Sequence, residues 1–493
     1  MKTALSLSLL SSLLISCAAV GPDYKAPQMP MPKQWSQQTD TSKNAPELDK
    51  WWLGFNDALL NSLMTEAIAA NLDLKVALLR VKDARILRSQ TIAAGLPSLS
   101  AKTALSKRLN NTSQTGGGTS SGGGFGIGNQ LINIFQLGFD AQWELDFFGG
   151  IRRAVEAADA SVDSEVENSR MVLVTLLSEV ARNLIELRAN QQLIKLTQDT
   201  LITQTDTLKL TEIKQQSGLA SSLEVAQAQA QLASTQATVP QYENAIEQAV
   251  HALGVLLGKE PNALAARLLN ASSLETLPAS LTINELPSDL LKRRPDIRKA
   301  ERQLAVANAY VGIATADLYP KVNLAAFIGL QNMKMTDFTP VGKSWSSSAT
   351  VTMPLFNWGK LNAALKSKQT QNQEALLSYQ ATVLTAFQEV EDALVAYRKE
   401  TQHTKALNQV SDANQLTLQL ASERYNKGMT DFIEVLIAKD ALYNAQAAII
   451  SSHNKQAHNL IALYKALGGG WQTETSVANT TEQSSLTQKL FKP

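Results

Sequence analysis

The chain has 493 residues, room for about two to four ordinary domains, with a formal net charge of +1 and 18% charged residues. That balance leaves neither a basic stripe for nucleic acid nor an acidic tail. Aromatic residues are only 6%, while Ala, Leu, Gln, Ser and Thr dominate, which suits long helices with modest side chains better than a thick globular core.

The chain opens with "MKTALSLSLLSSLLISC": a basic Lys2, an apolar run and small residues up to Cys17, which reads as a secretory signal over 1–16. The run is too short for a stable membrane-spanning helix. Cys17 is the single cysteine, so it can form no internal disulfide, and lipidation is the better use for a thiol that ends a signal. Residues 17–50 read as a lipidated, extended N-terminal segment. No later segment offers roughly 18 uninterrupted apolar residues, so any membrane crossing has to be made by strands.

From residue 51 onward the chain is a unit built twice, over 51–270 and 271–471. Slid by 210 positions, Leu145, Gly149, Glu179, Val180, Leu184 and Arg188 meet Leu355, Gly359, Glu389, Val390, Leu394 and Arg398. The same offset carries Gly218, Glu224, Val225, Ala228 and Leu232 onto Gly428, Glu434, Val435, Ala438 and Leu442. Upstream the offset becomes 223, pairing Asp73, Ala77 and Pro97 with Asp296, Ala300 and Pro320. The difference falls in the interval holding "TGGGTSSGGGFGIG", a flexible Gly/Ser loop suited to an insertion. Each unit reads helix, strand, loop, strand, long helix, turn, helix.

The strands are expected at about 97–109, 131–146, 320–331 and 344–356. In "FQLGFDAQWELD", Phe135, Leu137, Phe139, Ala141, Trp143 and Leu145 alternate with polar residues and Gly138, a period of two with one apolar face. Val322, Leu324, Ala326, Ile328 and Leu330 repeat the pattern. A strand of about 12 residues tilted by about 45° spans roughly the 25 Å apolar band of an outer-membrane barrel. Tyr319, Phe147, Phe148, Phe356 and Trp358 stand at strand ends, where rings prefer a membrane interface. Four strands cannot close a barrel, and an open edge in lipid leaves backbone groups unpaired, so several copies must share one.

Two long hairpins follow the strand pairs, over 150–258 turning at Gly218 and over 358–467 turning at Gly428. Ile151–Gln216 contains no proline, so it can run about 100 Å at 1.5 Å per residue. Leu173, Val180, Leu187, Ile194, Leu201 and Leu208 recur every seven residues, which favours left-handed coiling against a partner. The intervening Gln191, Gln198 and Thr205 suit a helix that also faces water, like a stave of a hollow wall. After each turn a polar residue precedes a glutamate: Ser221 with Glu224 forms a capping box, and Asp431 with Glu434 can form the same one. Pro295 and Asp296 in "RRPDI" suit a helix start. "GGGW" stops the last helix, and the polar tail 472–493 has a disordered composition.

The chain carries no catalytic constellation, metal set or cofactor motif. His251, His403, His453 and His458 are scattered, and the last two do not share a helix face. "DFTPVGKS" has Asp337 where a phosphate loop needs glycine. The rival to a channel is an exported coiled-coil envelope protein or adhesin without a pore, and the alternating strands argue against it.

With these features in place, the mature chain resembles the outer membrane factor family of efflux and secretion channels, in its lipoprotein branch. "CAAVGPDY" is similar to the branch's acylated start, and "WWLGFNDALLNSL" with "NLDLKVALLRVKDAR" to its opening helices. "LKRRPDIRKAE" resembles the entry to the second repeat and "ALGGGW" its end. The resemblance implies a mainly α fold: a homotrimer whose twelve-stranded transmembrane β-barrel, four strands per chain, continues as an α-helical barrel across the periplasm. It implies outer-membrane lipid, a periplasmic membrane fusion adaptor and an inner-membrane transporter as partners. Acidic residues near the second turn ring the narrow entrance in this family, and Glu434 falls on one such position. Ile437 stands where some members have the next. Gly218, Glu224, Tyr425, Gly428, Asp431 and Glu434 are therefore the tip and gate candidates, with polar contacts near Tyr425 and Asp431 as the expected latch.

Overall fold

The computed structural model describes residues 19–30, 32, 35, 48–112, 128–269, 293–332 and 343–471. Cys17, most of the Gly/Ser loop and the 472–493 tail lie outside the described residues. In chain order the elements are a 3-10 helix Leu48–Phe55, α1 Ala58–Ala70, α2 Leu72–Ala94, β1 Ser98–Thr112, β2 Gly128–Leu145 and α3 Gly150–Gln216. Then come α4 Ser222–Gln236, α5 Val239–Leu256, α6 Ala265–Leu269, α7 Pro295–Ala316, β3 Lys321–Asn332, β4 Lys343–Thr352, α8 Lys360–Asn426 and α9 Phe432–Ala466. They group into two compact units, and each unit draws on both repeats: the first takes residues up to Pro27, Lys82–Asp163 and Arg302–Leu377, the second the remainder.

The first unit holds one antiparallel sheet in the order β1-β2-β3-β4. Pro97 and Pro320 sit immediately before β1 and β3, where a missing N–H ends a helix without breaking a ladder. The register puts the apolar positions of neighbouring strands side by side. Ala101, Phe139, Ile328 and Trp345 form one cross-strand row, and Leu145, Val322 and Val351 another. On this face Leu99, Leu105, Phe139, Ile328, Trp345 and Val351 are all exposed. The opposite face is polar, with Lys102 Nζ 3.3 Å from Asp140 Oδ2. Among the described residues its one buried side chain is Phe327, which lies over the paired Gly138 and Gly329 and occupies the space their Cβ atoms would need. Among the described residues neither β1 nor β4 has a partner on its outer side.

Three strand ends differ from the sequence expectation by three residues or more. The β1–β2 ladder runs to Thr112 and Gly128, three residues further on each strand than expected. β4 stops at Thr352 rather than 356, because Pro354 follows and cannot donate to the ladder. Gly149 and Gly359 take φ of +81° and +77° where the chain turns from sheet to long helix, a conformation that costs glycine nothing.

The second unit is helical. Its apolar core joins Trp51, Trp52 and Phe55 of the 3-10 helix to Leu177, Val180, Leu184 and Leu187 of α3, Val383 and Val390 of α8, and Leu460 and Tyr464 of α9. Trp51 stacks on Tyr464 with ring centroids 5.2 Å apart. Asp57 caps α1 by accepting from the Leu59 and Leu60 amides. Pro295 is the first residue of α7, yet the "RRPDI" stretch does more than start a helix. The buried Arg294 donates to the Ala466 carbonyl at 2.9 Å and pairs with Asp296 and Glu389 at 2.6 and 2.7 Å. Trp471 Nε1 donates to the Arg293 carbonyl, so the second repeat's entry and the end of α9 are clasped together.

Toward the hairpin turns the seam of this unit changes character. On α3 the buried positions pass from Leu184 and Leu187 to Thr197, Gln204 and Thr211, and on α8 from Val390 and Leu394 to Glu400 and Thr404. Gln198 is exposed, as a wall facing water requires. Glu400 accepts from Ser452 at 2.6 Å and lies 3.1 Å from Lys455, which ties α8 to α9 through buried polar groups.

Candidate gate at the helical hairpin turns

The two turns are built alike. Gly218 and Gly428 have φ of +73° and +70°. In the first, Gly218 N donates to Gln215 O and Leu219 N to Lys214 O. In the second, Gly428 N donates to Tyr425 O and Met429 N to Arg424 O. Both are glycine C-caps of the Schellman type, in which a left-handed residue lets the last carbonyls of the helix find donors. Leu219 and Met429 project from them, exposed.

The return helices start differently. Ser221 and Glu224 form a complete capping box, each side chain accepting from the other's amide. Asp431 does not repeat it: the residue sits at the N-cap with extended backbone, but its side chain makes no cap hydrogen bond. The expected second box is therefore absent. Phe432 takes over, in the place where the first repeat has Ser222. It is buried with Val435, Leu436 and Ala228, and packs against Tyr425. A hydrophobic contact holds this end where the first turn uses polar atoms.

Tyr425 lies between the hairpins. Its ring is 5.4 Å from that of Phe432, Lys214 Nζ stands 4.6 Å over it, and its hydroxyl donates to Glu224 Oε2 at 3.4 Å. Glu224 thus caps its own helix through one oxygen and reaches the second hairpin through the other. At this residue capping does not preclude a contact across the hairpins. Glu434 and Ile437 are exposed on α9, so the acidic position is presented and the next one is apolar.

Further along, Lys439 Nζ donates to Thr207 Oγ1 at 2.7 Å, Gln231 to Asp440 at 2.9 Å, and Thr197 meets the Tyr443 hydroxyl at 3.0 Å. Burial among these helices pushes the Lys439 ammonium below the usual lysine range. Sequence reasoning missed Lys214, Phe432, Lys439 and Asp440. The available signal was departure from the repeat, since Phe432 and Lys439 replace Ser222 and Gln229. The histidines are held singly: His251 by Asn262, His403 by Glu400, His458 beside Glu186. Among the described residues no His, Cys, Asp and Glu group could hold a metal ion.

An open sheet with an exposed apolar face in one unit and long helices with polar seams in the other are features a membrane channel component would need. The family described as "Outer membrane efflux protein" matches residues 63–259 and 286–469, and the chain belongs to it. It is 34% identical to the antibiotic efflux pump outer membrane protein ArpC of Pseudomonas putida, over 97% of this chain and 98% of that protein. It is 29% identical to the cation efflux system protein CusC of Escherichia coli, over 94% and 97%. The structure of the outer-membrane channel OprN superposes with a TM-score of 0.82 at 32% identity, covering 92% of this chain and 99% of that one. The protein is an outer-membrane efflux channel.

Proposed function

We propose that three copies share one twelve-stranded barrel and one helical tube, the passive exit duct of a tripartite efflux or secretion system. A periplasmic membrane fusion adaptor and an inner-membrane transporter are its partners, and Cys17 carries lipid that anchors it in the outer membrane. The observation that supports the shared barrel is the four-stranded sheet itself. Its two outer edges lack partners among the described residues and one face is apolar and exposed; the apolar face calls for lipid rather than water, and in lipid the open edges call for neighbouring copies. The duct closes at the hairpin turns, where Gly218 and Gly428 set the geometry, Glu224 and Tyr425 join the hairpins, and Asp431 and Glu434 are exposed. Mass measurement after detergent extraction should return a trimer, and the trimer should conduct ions in a planar bilayer. A stable folded monomer, or a trimer without conductance, overturns the reading.

A further inference from the structure

We propose that Gly138 and Gly329 form a recess that holds the Phe327 ring flush with the polar face of the sheet. The glycine pair thereby keeps one aromatic ring per copy out of the barrel lumen and sets the bore at that level. This deepens the shared-barrel reading above and rests on it, since the polar face lines a lumen only when copies close one barrel. Gly138 and Gly329 pair across β2 and β3. Phe327 stands two positions before Gly329 on the same face, opposite Asp140 and Ser346. It is 7% exposed, on a face where Asn323 and Gln331 are open to solvent. A Cβ on Gly138 would fall 2.6 Å from the ring's Cε2, and one on Gly329 would fall 2.8 Å from its Cζ. The ring lies where ordinary side chains would begin.

From Asn323 to Gln331, and across the residues paired with them, Phe327 is the only large apolar side chain on this face. Its surroundings are polar, with Lys102 beside Asp140. A ring standing out from such a wall in every copy is an apolar constriction, which narrows and dewets a pore. Two facing glycines weaken a strand pair, so the ladder itself has no use for them. The other half of the chain is an internal comparison. Slid by 223 positions, Phe327 and Gly329 meet Ala104 and Ser106, and slid by 210, Gly138 meets Ser348. Where the ring is absent, both glycines are absent too. Ring and recess work as one unit: the ring covers backbone that the glycines leave bare, and the glycines withdraw the ring from the lumen.

Access past this level from outside the cell is the quantity to measure, because the helical turns at the other end do not limit it. Asn323 and Gln331 lie four positions to either side of Phe327, with Asn323 nearer the helices. Asn323→Cys and Gln331→Cys, each in the full-length protein, are labelled on intact cells, with the chain carrying only Cys17 as the blank. The probe is a polyethylene glycol maleimide, the largest that still reaches Asn323→Cys with both glycines in place. Gly329→Ala should slow labelling of Asn323→Cys relative to Gln331→Cys by about tenfold, a barrier raised by about 1.4 kcal/mol. Adding Phe327→Ala to Gly329→Ala should restore the rate, since it removes the ring and keeps the new Cβ against the facing strand. Phe327→Trp keeps both glycines and should slow labelling as well, because an indole outgrows a recess shaped for a phenyl ring. It decides the matter where Gly329→Ala does not assemble. An unchanged ratio in Gly329→Ala and Phe327→Trp overturns the recess and leaves the shared barrel standing. A ratio that stays low after Phe327→Ala is added also overturns it, because strand distortion is then the cause. If neither cysteine of the assembled protein labels even with a small charged maleimide, the polar face lines no lumen, and the shared barrel falls together with the recess.

Discussion

The two ends of the second unit are held by different physics. Around the 3-10 helix the contacts are large, apolar and closed: Trp51, Leu177, Leu184 and Leu463 are essentially inaccessible. At the turns the cluster shrinks to Phe432, Val435, Leu436 and Ala228, and further ties between the hairpins include single polar contacts at Tyr425, Lys439, Gln231 and Thr197. Apolar burial is non-directional and lost only by separating surfaces, whereas a polar contact can be exchanged for one with water at little net cost. The first end is the harder to separate, and the gate proposed at the turns requires the second to be the easier. The low-stability end is where a moving part has to be.

The widest separation between the two ends should come from Trp51→Ala. The side chain is 1% exposed and packs against Trp52, Phe55 and Tyr464, so truncation should cost about 3–5 kcal/mol. Chemical denaturation of the detergent-solubilised protein measures it, and a loss no larger than that of a turn variant erases the contrast.

The turns themselves should respond alike despite their different helix starts. Gly218→Ala and Gly428→Ala place a Cβ in open space at positive φ, so each should lose only the left-handed strain of about 1–2 kcal/mol. Equal losses confirm that the asymmetry lies after the turn. A markedly larger loss at Gly428 shifts it into the turn.

A smaller, pH-dependent effect marks the closed end. The hydrogen bond from Lys259, with that from Arg267, holds the Glu66 carboxyl down to about 2 against the opposing effect of burial. A lowered folded-state pKa contributes stability that is present above the ordinary 4.5 and is lost as pH falls from there toward 2. Glu66→Gln should therefore be less stable than wild type at pH 7 and converge with it near pH 2. A gap between their melting temperatures that stays constant across that range contradicts the assignment.

Much of this contrast is legible in the sequence, and what is not has a common cause. The 210-residue offset locates both turn glycines, and the period of two in "FQLGFDAQWELD" anticipates which face of the sheet is apolar. Both are local, repeated patterns that backbone geometry imposes on the chain. Arg294 reaching Ala466 crosses 172 positions and Gln231 reaching Asp440 crosses 209, and no periodicity encodes such pairs. The absent Asp431 cap is a side-chain choice, invisible to spacing. The first return arm also breaks between α4 and α5 while α9 runs unbroken, and Pro240, in the first turn of α5, carries that signal.

The finest test is at the latch. Tyr425→Phe removes one hydroxyl whose 3.4 Å bond to Glu224 is long and partly exposed, so its stability cost should stay under about 1 kcal/mol. The ring remains against Phe432 and under Lys214. Asp431→Ala should cost less than an N-cap usually does, because this aspartate makes no cap bond to lose. The double variant should then assemble and melt almost as wild type while its single-channel conductance in a planar bilayer rises, since symmetric copies multiply a weak contact into a useful closure. Glu224→Gln is the control: it weakens the capping box and the latch together, so conductance and stability should move in step. If Tyr425→Phe with Asp431→Ala leaves conductance unchanged, the hairpins are held apart from solvent elsewhere, and the Lys439–Thr207 and Gln231–Asp440 contacts become the place where the entrance is closed.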